Sequence, residues 1–518
     1  MNRSLRLFLE AVVVALATWQ VVDIAIAMSV RFGANFDLEW MEGATLVTGL
    51  RASQGLPFYT MPSADYVPFI YPPLYAWVLG ALGHVFPIGY GLGRGVSIVC
   101  MVVATILLVV GARREGARWP IAVGVGALFL GCYEEGGTFY DLVRIDSLAL
   151  MLTGAALVVG RRETRAAAVA SGLLLAVAFT AKHNMALFGL PIAIWRWRTL
   201  GVRDATAFVA ASAGPALAFT VGMQVYTGGL FLTYLLEVPA YHGMVLERAL
   251  PNLDKAGRIQ GAQAEIWRAL PFVATAAVAT VWAWARTRGG AYWGGAMVAG
   301  LVMTALMRGH TGGYVNVLIP MFWLLPLAAV LSERRLARDD GWRAWVPHAF
   351  AALVAAQLWE GRVPLKKKYL PTDADARNAA ALVEELRALP GPVLMPHGPW
   401  YPVMAGHEPS FSLISLWDVD KEKGPLRKAS GVVDRAMADG HWATIVTADD
   451  KLGHGLTEHY TRAGPLAAKS FRTRTGWDVR FGTVWHPKLA GDVDAPAPAA
   501  EVGGEGEEDA EGGAPDMP

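Results

Sequence analysis

Three carboxylates, Asp37, Glu39 and Glu42, stand in one short segment, FDLEWMEG, just after the first apolar run of the chain. A carboxylate beside a bilayer face can take the proton from an acceptor hydroxyl, or can hold a divalent cation. On a helix, Glu39 and Glu42 would share a face at i, i+3, with Asp37 near the helix start. The same residues also fit a structural role, Asp37 as N-cap and Glu39 favouring the helix dipole. Arg144 and Asp146, in VRIDSLALML, lie near the end of another apolar run. Ionisable groups inside a span are expensive, and they are usually paired or functional. Lys182, His183 and Asn184 close a further run in AKHN. A lysine there can hold a phosphate as a point charge, with His183 as an added donor, or can simply anchor the helix end. Arg308, His310 and Asn316 frame Gly312 and Gly313 in RGHTGGYVN, where exposed N–H groups would form an anion nest. The long segment from Thr227 to Trp267 adds Glu237, Tyr241, His242 and Glu247 at spacings that name no chemistry. HExxH, the phosphate-binding P-loop and the nucleophile elbow are all missing.

The scaffold that must position these groups is a set of membrane helices. With 518 residues, 54% of them hydrophobic and 17% charged, and a mean hydropathy of +0.35, the chain is too apolar for a soluble globular protein. Leu7 to Val30 is long enough to cross a bilayer. Glu10 and Asp23 interrupt it and no small-residue cleavage site follows, so it reads as a retained helix rather than a signal peptide. Further spans are expected near 91–111, 119–135, 138–160, 166–181, 185–199, 205–226, 268–286, 291–307, 314–331 and 343–359.

The positive-inside rule places the amino terminus on the cytoplasmic side. The loops carrying Arg113, Arg114 and Arg118, then Arg161, Arg162 and Arg165, then Arg196, Arg198 and Arg203, join it there. So do Arg286 and Arg288, and Arg334, Arg335 and Arg338. All four chemical motifs then fall on the outer side. The segment 69–86 is apolar enough to cross, but a full crossing would invert every later loop. Its Pro72-Pro73 pair suits a re-entrant or interfacial segment.

The expectation is an α-helical integral membrane protein of about 11–13 transmembrane helices over residues 1–360, in a plasma or inner membrane. Over 365–492 a helix-like ADARNAAALVEELRAL alternates with strand-like GPVLMPHG, WATIVTAD and TGWDVRFGTVW. That pattern predicts a small C-terminal α/β domain, extracytoplasmic by parity. Residues 495–518 read as a disordered acidic tail. Cys100 and Cys132 sit in apolar runs as core residues, with no disulfide framework or cysteine metal site. With a net charge of +1 and no basic patch interleaved with aromatics, no nucleic-acid partner is expected.

Three carboxylates with an Arg, a Lys and two His on one membrane face suit a lipid-phosphate substrate. Its tail would lie among the helices, its phosphate on the cations, and its sugar under a carboxylate. The layout resembles the GT-C superfamily of polyprenyl-phosphate-dependent glycosyltransferases, which includes protein O-mannosyltransferases and the lipid A aminoarabinose transferase. FDLEWMEG resembles the acidic first outer loop of bacterial members, and GLPFYTMPSADYVPFIYPPLYAW looks like their G-x-P-x-Y…YPPL segment. VRIDSLALML looks like the Arg-x-Asp stretch that opens a later helix. AFTAKHNMAL is similar to A-F-x-x-K-Q-T, with His183 where Gln is commoner, and GGYVN resembles a Gly-rich turn ending in Asn.

The resemblance spans roughly residues 1–335. It implies a base in the first outer loop that deprotonates an acceptor hydroxyl for inverting attack on the anomeric carbon. That role falls on Asp37, with Glu39 and Glu42 in reserve, because the adjacent Asp-Glu pair of many relatives is missing. Arg144, Lys182 and His310 would stabilise the leaving phosphate. Asp146 would hold Arg144 or a metal, and His183, Arg308 and Asn316 complete the expected substrate-binding set. No cofactor is fixed, and a divalent cation stays open. The expected partners are a polyprenyl-phosphate-sugar donor, an envelope glycan, lipid or protein acceptor, and the bilayer. The competing reading is a multi-pass transporter or flippase of lipid-linked sugars, which predicts internal repeats and charges deep in several spans. No repeat is evident, and the charges gather at one face.

Overall fold

The computed structural model describes residues 3–254, 256–361, 366–448 and 452–488. The 362–365 junction and the acidic tail expected over 495–518 lie outside the described residues. Five helices are long and apolar enough to cross a membrane: Arg3–Phe32 (α1), Tyr90–Arg114 (α4), Val202–Tyr226 (α9), Arg288–Gly309 and Val315–Leu336. The last is the central post, with 94% of its most apolar window buried, whereas α9 buries 11% and lies at the rim. On α9, Leu217, Val221 and Val225 are largely exposed, an apolar surface that suits lipid and not water.

Shorter helices fill the spaces between the long ones: Trp119–Gly131 (α5), Asp146–Gly160 (α6), Arg165–Ala181 (α7), Gly189–Leu200 (α8) and Val346–Glu360. α6 packs between α4 and α7, α7 against α9, and α1 against α5 and the 346–360 helix. Two expected spans are interrupted. Residues 132–145 run as turns, because Gly137 and Thr138 take positive φ (68° and 58°), so α6 starts only at Asp146. Over 268–286 the chain breaks into Ala262–Ala269, Pro271–Ala279 and Val281–Trp284, the first break falling at Pro271, which cannot donate a helix hydrogen bond. Within 69–86, Pro73 opens a helix of nine residues, Leu74–Leu82 (α3). That is about 14 Å long, too short to cross.

One end of this helical module is a ring of ion pairs between its loops. Glu10 meets Arg6 and Arg118 at 3.0 Å each. Arg161 meets Glu115 at 2.7 Å, Arg288 meets Glu163 at 3.3 Å, and Arg196 pairs with Asp204. The arginine-bearing loops therefore share one face, and the FDLEWMEG, VRID and AKHN motifs occupy the opposite one.

The C-terminal part carries helix Asp373–Ala388, opened by a capping box between Thr372 and Asp375, and a four-stranded sheet. Strand Val393–Leu394 runs parallel to Thr444–Thr447, with Val393 opposite Thr444. Thr444–Thr447 pairs antiparallel with Thr483–Pro487, and that strand with Tyr460–Pro465. All four residues of Thr444–Thr447 are buried. Both cysteines are buried and free.

Candidate active site

The segment after α1 is pinned before it reaches the carboxylates. Arg31 ends α1 in a buried pair with Asp141 (2.8 Å) and donates to the carbonyls of Thr138 and Tyr369. Arg94, wholly buried on α4, donates to the carbonyls of Arg31 (3.0 Å), Ala34 and Phe36 (2.7 Å). The same guanidinium grips both oxygens of Glu42, at 3.0 and 2.7 Å. Sequence reasoning passed over Arg94, Arg31 and Asp141. The charge of Arg94 inside the apolar run 91–111 was the available signal.

The helix expected to carry all three carboxylates begins only at Glu42 (Glu42–Ser53, α2), so Glu39 and Glu42 share no helical face. The three groups instead have different surroundings. Glu42 is saturated: besides Arg94 it accepts from the N–H groups of Val143 (2.9 Å) and Leu38 (2.7 Å). Burial opposes its charge, but Arg94 and those N–H groups outweigh it and hold the carboxyl below its usual range. With both oxygens committed, Glu42 is a strut for the loop and not a base.

Asp37 is not the N-cap of α2, which is Met41, but its Oδ1 accepts from Gly43 N–H in the first turn (2.8 Å) and from Tyr90 Oη (3.0 Å). Its own N–H donates to Tyr401 Oη of the C-terminal domain (3.0 Å), and its Oδ2 is buried without a partner. Gly43 is required here: a Cβ would sit 2.9 Å from Trp400 Cβ and 3.1 Å from Asp37 Oδ1. Burial, reinforced by Glu42, pushes the Asp37 carboxyl well above the usual range.

Glu39 points the other way. Its Oε2 accepts from Arg144 Nη1 (3.4 Å) and Met41 N–H (3.3 Å). Burial pushes its carboxyl up to about 7, and Arg144 offsets this only in part. Arg144 also donates to Met41 Sδ (2.7 Å), stands over the ring of Phe139 and keeps a buried Nε with no partner. It lies just before α6, not inside a helix. Tyr71 stands within electrostatic reach of Arg144, Asp418, Asp146 and Glu39, which brings those four charges around one phenol.

Asp146, the first residue of α6, receives Lys182 Nζ (2.8 Å) and Asn316 Nδ2 (3.0 Å) on Oδ1 and keeps Oδ2 buried and unpartnered. Asp146, Lys182, Asn184 and Asn316 line a small cavity of about 10 Å³, together with Met185 and Met307. Lys182 and Asn316 thus gather where expected, although Lys182 faces a carboxylate.

Two expected substrate contacts do not join this group. Arg308 forms a two-pronged pair with Glu265 (3.0 and 2.8 Å) and donates to the carbonyl of Gly313, so its guanidinium is taken. Gly313 N–H donates to the carbonyl of His310 (2.7 Å), which closes the anion nest expected there. The His310 ring packs 4.9 Å from that of His242, which in turn bonds the carbonyl of Asp418. His183 opens the 3-10 turn after α7, its buried Nδ1 unpartnered. Among the described residues no group of three or more His, Cys, Asp or Glu is placed to hold a metal ion.

Helices long and apolar enough to cross a bilayer, a short helix after Pro73 and an acid-bearing first loop under a small α/β domain together make a GT-C-like fold. No family model and no curated protein matches the chain by sequence. Solved structures do match: the chain is similar to ArnT from Cupriavidus metallidurans in the apo state, with a TM-score of 0.55, 16% identity, and coverage of 91% of this chain and 98% of that one. The same enzyme bound to undecaprenyl phosphate gives a TM-score of 0.56 and 14% identity over 90% of this chain and 98% of that one. ArnT is a lipid A aminoarabinose transferase of the GT-C superfamily, and at this identity the likeness shows the fold.

Proposed function

We propose that the chain is an inverting membrane glycosyltransferase that moves a sugar from a polyprenyl-phosphate donor to an envelope acceptor on the outer face of the membrane. The observation that carries this reading is the pairing of Glu39 with Arg144. A carboxyl tuned to about 7 touches a guanidinium whose buried Nε has no partner. A general base works best when its pKa lies near the operating pH, and a guanidinium with one unused N–H can donate to a phosphate oxygen.

Glu39 is the base in this reading, ahead of Asp37, which faces Tyr90 and Tyr401, and of Glu42, which Arg94 holds. The Glu39 carboxylate takes the acceptor O–H proton as that oxygen attacks the anomeric carbon. The bond from that carbon to the phosphate oxygen breaks, its electron pair leaves with the polyprenyl phosphate, and Arg144 stabilises the new charge. Glu39 then returns its proton to water. Asp146 fixes Lys182 and Asn316 beside Arg144. The orientation of the C-terminal domain toward the periplasm or exterior belongs to the same proposal.

The test is a gene knockout rescued with the unaltered gene, Glu39→Gln or Asp37→Asn, followed by profiling of envelope glycans. Loss of one sugar decoration, restored by the unaltered gene and by Asp37→Asn but not by Glu39→Gln, is the expected result. Full rescue by Glu39→Gln would remove it as base, and saturable lipid flipping without transfer would replace the transferase by the flippase.

A further inference from the structure

The C-terminal domain reaches the first outer loop through one turn. Arg474 and Thr475 N–H both donate to the carbonyl of Leu38, at 2.7 and 3.1 Å. Thr475 Oγ1 also donates to the carbonyl of Gly137 (2.7 Å). Gly476, at φ 73°, lies so close that a Cβ would stand 3.0 Å from Glu39 Oε1 and 3.3 Å from Trp40 Cδ1. The next residue, Trp477, therefore faces the loop that carries Glu39.

Three indoles meet at this junction. Trp477 stacks on Trp417 (centroids 5.0 Å, 26°) and meets Trp40 edge-on (5.1 Å), with Trp40 6.2 Å from Trp417. All three stay partly exposed, whereas Trp442 and Trp485 of the same domain are sealed at 1% and 5%. Beside Trp417 stands Asp418, one of the four charges around Tyr71. Its side chain is 15% exposed, with Oδ1 3.8 Å from His242 Nε2.

We infer that the C-terminal domain supplies the acceptor subsite, and that the subsite takes a carbohydrate ring on the outer face of Trp417, which Trp477 backs from the other side, with its hydroxyls on Asp418. The inference rests on the transferase reading and narrows its acceptor from glycan, lipid or protein to glycan. A pyranose presents one face of C–H groups and a rim of hydroxyls. An indole covers the first by dispersion and by its electron-rich face, and a carboxylate accepts from the second. A lipid acceptor would need an apolar channel here, and a peptide would need a sheet edge or paired amide groups. An aromatic platform with one carboxylate, next to the base, matches a sugar hydroxyl delivered to Glu39.

The test uses the full-length protein in nanodiscs, with polyprenyl-phosphate donors labelled in the sugar by membranes of the source organism. Three acceptor preparations are compared: an envelope glycan extract, phospholipid vesicles, and envelope protein stripped of glycans. The expected product is label in carbohydrate. Trp477→Ala and Asp418→Asn each raise KM for the glycan extract about tenfold, with kcat and the donor KM changed far less. Trp477→Tyr, which keeps an aromatic face, recovers most of that loss. Label in phospholipid or protein, or an equal fall of kcat in all variants with no change in acceptor KM, overturns the subsite. No consumption of any donor by the unaltered protein overturns the transferase reading itself.

Discussion

The two ends of the helical module carry similar numbers of charges and use them differently. At the arginine-rich end, Glu10, Glu115, Glu163 and Asp204 each meet at least one arginine, and no carboxylate oxygen is left buried and unpartnered. At the opposite end, Arg31–Asp141 and Arg94–Glu42 are fully bonded, yet Asp37 Oδ2 and Asp146 Oδ2 are not. They are the only buried carboxylate oxygens without a partner among the described residues. Burying an unsatisfied polar group costs about 1–3 kcal/mol, a cost this end carries on two carboxylates and the other end on none. At one end those four carboxylates are paired, with the guanidinium Nε atoms of Arg161 and Arg196 left without a hydrogen bond; the other end sets two unpartnered carboxylate oxygens beside two closed pairs.

The comparison breaks first if the closed pairs are not needed. Arg94→Met leaves Glu42 and three loop carbonyls without their donor, and breaking a buried pair from one side costs about 3–5 kcal/mol. A thermal-shift measurement in detergent is expected to show loss of cooperative unfolding, and transfer is lost with it. Glu39→Gln, in contrast, is expected to leave that melting curve in place while lowering the transfer rate by about 10²–10⁴, the usual worth of a general base.

The next largest effect sharpens the contrast between closed and open groups. Arg144→Lys keeps the charge but loses the planar guanidinium that meets Glu39 and, in the proposed reaction, would meet the phosphate, and kcat is expected to fall about 10²-fold, read from initial rates. The smallest effect lies at the other end. Arg288 is mostly exposed and pairs with Glu163 near the surface, so Arg288→Ala is expected to shift stability by less than about 1 kcal/mol and leave transfer rates unchanged.

Much of the scaffold was legible because a span of about 20 apolar residues carries its own signal. The expected 91–111 and 205–226 became Tyr90–Arg114 and Val202–Tyr226, and 166–181 became Arg165–Ala181. The interruptions were not legible: nothing local announces that Thr138 takes φ 58°. The site divides in the same way. Lys182, Asp146 and Asn316 were singled out as ionisable or amide groups at span ends, and the fold joins them.

The sorting of Asp37, Glu39 and Glu42 was hidden, because it depends on partners far away in sequence: Arg94 is 52 residues from Glu42, and Arg144 is 105 from Glu39. The partner of Arg308 was hidden in the same way, Glu265 lying 43 residues back. TGWDVRFGTVW alternates like one long strand, yet only Thr483–Pro487 pairs in the sheet, while Arg474 and Thr475 are held by the carbonyl of Leu38.

The most direct measurement is the pH dependence of sugar transfer by the purified protein, with Glu39→Gln and Asp37→Asn run in parallel. Glu39 must lose its proton to act, and its folded value is raised to about 7, so the transfer rate is expected to rise as pH climbs through that value and then level off. The rise should vanish in Glu39→Gln and persist in Asp37→Asn. A rise that survives in Glu39→Gln and disappears in Asp37→Asn would contradict the assignment and return the base to Asp37.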